Sequence, residues 1–122
     1  MAQERSRRVV GRVQDLPPGS VTLLPVGPRG VGVYNVNGRY YALSNYCPHR
    51  GAPLCLGVVE GSVEAGERPY ELIYGRDGES VRCPWHGWEF DIATGRARMV
   101  DGVSARTWNV VVEDGVVVLI GA

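Results

Sequence analysis

The sequence predicts an all-β chain, a small antiparallel sandwich or barrel, on three observations. Its apolar residues are mostly valines in short runs separated by glycine and proline. Three Asx-Gly pairs, Asn37-Gly38, Asp77-Gly78 and Asp114-Gly115, mark tight hairpin turns. No apolar stripe with helical spacing runs longer than two turns.

In chain order, strands are expected at 8–13 and 21–26. A hairpin follows, 31–36 and 39–44, joined through Asn37-Gly38. Two further strands are expected at 70–75 and 79–83, joined through Asp77-Gly78. One is expected at 87–91, and a last hairpin at 105–113 and 116–120, turning at Asp114-Gly115. Many short strands at regular spacing favour a sandwich or barrel, with Trp108 in its core. There is no internal repeat, and 122 residues make one domain. A chain of that size buries roughly two-thirds of its unfolded surface and folds without staples.

Thirteen basic residues, all arginine, balance thirteen acidic ones. That balance argues against nucleic acid or an anionic membrane as the partner. The start "MAQERSRRVV" lacks the apolar stretch of a signal peptide, and no run is long enough to anchor the chain. The expected location is therefore the cytoplasm. Three cysteines is an odd count, and in a reducing compartment it points to metal or reactivity rather than disulfides.

The chemistry concentrates in two stretches, "CPHRGAPL" at 47–54 and "CPWHGWEF" at 83–90. Both of the chain's histidines, His49 and His86, stand here beside Cys47 and Cys83. Each cysteine is followed by a proline, Pro48 or Pro84, which fixes a turn and has no N–H. Each histidine has a glycine close behind, Gly51 or Gly87, which lets the backbone approach a bound group. Both stretches follow strands, so they can meet at one end of the body. Two thiolates and two imidazoles suit either a tetrahedral zinc or a two-iron, two-sulfide cluster.

"CPHRGAPL" and "CPWHGWEFDIATG" resemble the two cluster loops of the Rieske iron–sulfur family, in its ferredoxin and ring-hydroxylating-oxygenase branch. The resemblance implies a β fold with a two-loop cluster-binding subdomain at one end, loops 45–57 and 81–91, within one domain spanning 1–122. It implies one 2Fe-2S cluster per chain, with Cys47 and Cys83 on the inner iron and His49 and His86 on the outer. The implied function is one-electron transport from a flavin-dependent reductase to a terminal oxygenase, through transient contacts and with no substrate site of its own. A small subunit of a larger oxidoreductase such as nitrite reductase is the related alternative. A zinc-stabilised interaction module is the alternative of another class. A monomer is expected.

Departures from the family pattern carry their own expectations. The high-potential branch has a further cysteine in each loop, forming a disulfide; here Ala52 and Trp85 stand instead, and Cys55 is expected to be a small buried residue. The serine and tyrosine that donate to cluster sulfurs in that branch are replaced by Trp88 and Phe90, which implies a low potential. Trp85 and Trp88 are expected to shield the cluster. The stretch at about 58–79, longer than is common in the family, reads as an inserted solvated hairpin, rich in Glu60, Glu64, Glu67, Glu71, Asp77 and Glu79.

Overall fold

The computed structural model describes residues 6–65, 72–85 and 87–122. Among these residues nine strands follow in order: β1 (Arg7–Arg12), β2 (Val21–Leu24), β3 (Val31–Val36), β4 (Arg39–Ser44), β5 (Val58–Ala65), β6 (Leu72–Arg82), β7 (Glu89–Asp91), β8 (Thr107–Glu113) and β9 (Val116–Ile120). Six of them form an antiparallel sheet in the order β1-β9-β8-β4-β3-β2, curled into a nearly closed barrel. The other three form a second antiparallel sheet, β5-β6-β7. The all-β expectation holds. Among the described residues no helix is long and apolar enough to cross a membrane.

Two of the expected hairpins turn where the Asx-Gly pairs stand. Asn37 and Gly38 have φ of 52° and 93°, and Asp114 and Gly115 have 51° and 74°. Positive φ at both central residues matches the right-handed twist of the flanking strands. Asn35 tightens the first turn, its Oδ1 accepting from the Gly38 N–H at 2.8 Å.

The Asp77-Gly78 pair behaves differently. Instead of joining two strands, it lies inside β6, opposite a register break in the pairing with β5. Ser62 faces Gly75 while Glu60 faces Ser80, so β6 carries surplus residues between these pairs. The residues connecting β5 to β6 are 66–71, outside the described set. The pairing of β5 with β6 is the hairpin read at about 58–79, although its first strand stands outside the strands assigned from the valine runs.

The β3–β4 hairpin is buried on both faces because two cores share it. On one face Val31, Val33 and Ala42 join Leu16, Val117 and Leu119 inside the barrel. On the other, Tyr34, Val36 and Leu43 join Cys47, Leu54, Cys55, Val81, Cys83, Phe90 and Ile92 from the smaller sheet and its loops. Burying each Val, Leu, Ile or Phe side chain contributes roughly 1.5–3 kcal/mol. The second core therefore fastens the small sheet to the barrel. Leu16 closes one end of the barrel, its carbonyl accepting from Asn35 Nδ2 at 2.7 Å and the Tyr40 hydroxyl at 2.8 Å. Trp108 packs against the barrel core with part of its ring and carries the Arg106 guanidinium over the face, 4.8 Å from the centroid.

Cys55 is buried as expected, its thiol directed at the Leu43 carbonyl. Gly32 makes room for it: a β-carbon at Gly32 would stand 2.4 Å from Cys55 Sγ. Burial pushes the Tyr34 phenol far above its ordinary 10.0, and the neighbouring Cys55 adds to the effect. Burial likewise raises the Cys55 thiol above its ordinary 9.0, against smaller lowering by Tyr34 and the Gly32 amide. The folded chain keeps both groups neutral where the unfolded chain ionises them. Their contribution to stability is thus complete below pH 9.0 and is lost as pH rises above it. Each group should add up to about 1.4 kcal/mol per pH unit to the decline. Urea titrations between about pH 8 and about pH 11 will show it, and Tyr34→Phe should remove the part that begins near 10.0. A flat profile would contradict the assignment.

Candidate metal centre

The two Cys/His loops are built on the same backbone frame. In the first, the Cys47 N–H donates to the Ala52 carbonyl at 2.8 Å, and the Gly51 N–H donates back to the Cys47 carbonyl at 2.7 Å. In the second, the Cys83 N–H donates to the Trp88 carbonyl at 2.7 Å, and the Gly87 N–H to the Cys83 carbonyl at 3.1 Å. Each frame closes through a glycine with positive φ, 79° at Gly51 and 70° at Gly87, where a side chain would be strained. One difference is built in: the histidine comes two residues after Cys47 but three after Cys83.

The scaffold brings these frames to one end. The first loop leaves β4 through Asn45, whose Oδ1 accepts from the Cys55 N–H at 2.9 Å. It returns through a 3₁₀ turn at Leu54–Leu56 into β5. The second loop joins β6 to β7. Because Val58 pairs with Arg82, the exit of the first loop lies beside the entry of the second. Gly57 sits at this crossing, where a β-carbon would fall 1.9 Å from the Arg82 carbonyl oxygen. Sequence reasoning did not single out Gly57, since only the three-dimensional approach reveals it.

Cys47 and Cys83 meet in the shared core, 0% and 2% exposed. Burial pushes the Cys47 thiol up, as does the neighbouring Cys83, while the backbone N–H groups of His49 and Arg50 pull it down. Amides aimed at a sulfur stabilise its anionic form, the form that binds metal. The His49 ring crosses to the other loop and stacks on Trp88, with centroids 4.0 Å apart and planes 11° from parallel. Its Nδ1 is buried. This pairing of Trp88 with His49 was not foreseen. Trp85 projects outward, 59% exposed, beside exposed Pro84, and Arg50 is exposed on the first loop.

His86, the fourth expected ligand, lies outside the described residues. Among the described residues no three ligating side chains are grouped closely enough to hold a metal ion by themselves. Three cysteines are present as thiols, with no disulfide among them, and Ala52 is fully buried where the high-potential pattern has a cysteine. The donor set nonetheless fits an iron–sulfur cluster: two adjoining buried thiols, amides directed at one of them, and an imidazole held in place at the edge.

The sequence profile of the Rieske [2Fe-2S] domain matches residues 6–113. Human apoptosis-inducing factor 3 is 38% identical over 93 residues, which cover 76% of this chain and 13% of that protein. The p-cumate 2,3-dioxygenase system ferredoxin component of Pseudomonas putida is 36% identical over 93 residues, 75% of this chain and 64% of the relative. The chain thus matches only part of the length of these curated relatives. Among solved structures, the complex of reduced oxygenase and oxidised ferredoxin in carbazole 1,9a-dioxygenase contains a chain that superposes with a TM-score of 0.73. It is 26% identical, covering 94% of this chain and 93% of that one.

Proposed function

The chain belongs to the Rieske [2Fe-2S] family, and from that membership we propose that it is a one-electron carrier, the ferredoxin component between a flavin-dependent reductase and a terminal oxygenase. The observation that carries this reading is the pair of matched loops that places Cys47 against Cys83, with His49 stacked across them on Trp88. Relatives named as ferredoxin components of dioxygenase systems support it, as does the solved complex of an oxygenase with a ferredoxin.

In this proposal Cys47, His49, Cys83 and His86 hold one two-iron, two-sulfide cluster. When bound, the cluster supplies a site that accepts and returns a single electron. The chain's own residues provide the surroundings. Cys47 and Cys83 offer thiolates in a dry interior, where the His49 and Arg50 amides favour the anion. Trp88 fixes the plane of the His49 ring and keeps water from one of its faces. Arg50 and Trp85, exposed at the loop tips, give a partner a small surface on which to dock. The 122 residues contain two histidines, both used here, so none is left for an oxygenase's iron site of two histidines and a carboxylate.

The test is spectroscopic. The purified chain should be red-brown, and pulsed EPR of its reduced form should detect nitrogen couplings from two imidazoles. A colourless protein holding zinc would overturn the proposal. The midpoint potential should lie near the bottom of the Rieske range, about −150 mV. Phe90, fully buried, and Trp88, stacked on His49, have no hydroxyl to donate to a sulfur. A clearly positive value at neutral pH would contradict that argument, and Phe90→Tyr should raise the potential.

A further inference from the structure

At the base of the first loop, a cleft of about 540 Å³ opens between the segment after β2, Tyr46 and the end of β9. Arg8, Arg29 and Arg106 line it, together with Tyr46, Trp108 and Val26; no acidic side chain does, and the last residue of the sequence, Ala122, also borders it. Among the described residues none of these three arginines has a carboxylate within ion-pair distance. Arg7, Arg82 and Arg98 by contrast are paired, with Glu113, with Glu60, and with Glu89 and Asp91. In a chain with no net charge, three positive groups therefore converge on one concavity with no acidic side chain among its lining residues.

Two of the three are held in place. The Arg29 guanidinium lies 3.9 Å from the centroid of the Tyr46 ring, and that of Arg106 lies 4.8 Å from Trp108. Stacking occupies the face of a guanidinium and leaves its N–H edge free in the plane, where it can grip an oxyanion with two parallel bonds. The ordering cost is largely met before any ligand arrives. The volume falls in the range that encloses small molecules, about 300–1,000 Å³.

We propose that this cleft is a binding site for a small polyanion, a molecule carrying at least two phosphate or carboxylate groups. Arg29 and Arg106 each take one group from a stacked position, and Arg8 adds charge at the rim. The site does not depend on the cluster reading.

Calorimetry on the full chain at constant ionic strength tests it with two probes, inorganic pyrophosphate and succinate, which separate phosphate from carboxylate as the preferred group. Saturable binding of either, with a dissociation constant below about 1 mM, is expected. The double variant Arg29→Gln/Arg106→Gln should weaken it roughly a hundredfold, each lost charge-assisted pair weakening it about tenfold. Arg39→Gln, an exposed arginine outside the cleft, should leave it unchanged. If the double variant does not fold, Arg8→Gln alone should still weaken binding. The proposal fails if neither probe saturates, which includes the case of a cleft that recognises only an acidic protein surface. It also fails if Arg39→Gln weakens binding as much as the double variant does.

Discussion

Cys47→Ala and Cys83→Ala should each reduce the iron content from roughly two per chain to near zero, while the barrel stays folded. The two outcomes separate because the cysteines hold the loops through backbone groups. The Cys47 and Cys83 N–H and carbonyl bonds to Ala52, Gly51, Trp88 and Gly87 survive the loss of a sulfur. What disappears is one of two adjoining buried thiols beside the His49 imidazole. Cys55→Ser is the internal control. Cys55 is also buried, but its thiol faces the Leu43 carbonyl and Tyr34, so that variant should keep its iron. Iron analysis and near-ultraviolet circular dichroism on all three variants check the expectation. Native iron in either alanine variant, or its loss in Cys55→Ser, would mean the ligands are misassigned.

The parts of this molecule legible in the sequence are those whose physics is local. The spans 31–36, 39–44 and 116–120 match β3, β4 and β9, since runs of valine or of tyrosine and leucine there meet turn residues that tolerate positive φ. The two cysteine loops were equally visible, because proline, histidine and glycine occur together within a few residues. The Asp77-Gly78 pair misled for the same reason. It has hairpin chemistry, but whether the chain reverses or merely bulges is decided by what β5 offers as a partner, and that information lies elsewhere in the chain. The stacking of His49 on Trp88 and the Gly57 crossing were hidden in the same way. Each joins two loops whose nearness is produced by the β5–β6 pairing. Trp88 reads in sequence as a shield over the cluster, and the structure stacks it on His49.

Among the described glycines, Gly57→Ala should be the most damaging substitution by a single methyl group. Gly57 has φ of −74°, which alanine adopts without strain, so the effect is steric. A β-carbon would sit 1.9 Å from the Arg82 carbonyl oxygen, 2.9 Å from its carbon and 3.0 Å from the Leu54 oxygen. All three are backbone atoms, and no rotamer change relieves them. Either β5 separates from β6 at the Val58–Arg82 pair, or the 3₁₀ turn at Leu54–Leu56 is displaced. Overpacking of this kind costs about 3 kcal/mol at the upper end of its usual range, a fall of about 10 °C in Tm for a domain of this size. Arg82 immediately precedes Cys83, so opening the crossing also moves that sulfur away from Cys47. The folded fraction should therefore lose iron beyond what reduced stability explains. Gly32→Ala supplies the contrast, because its clash is with the Cys55 side chain rather than with backbone, and should lower Tm without emptying the folded protein. Leu56→Ala, at an exposed neighbouring position, should change neither quantity. A Gly57→Ala protein melting within about 2 °C of native, with its iron intact, would show that the two loops do not depend on this contact for their approach.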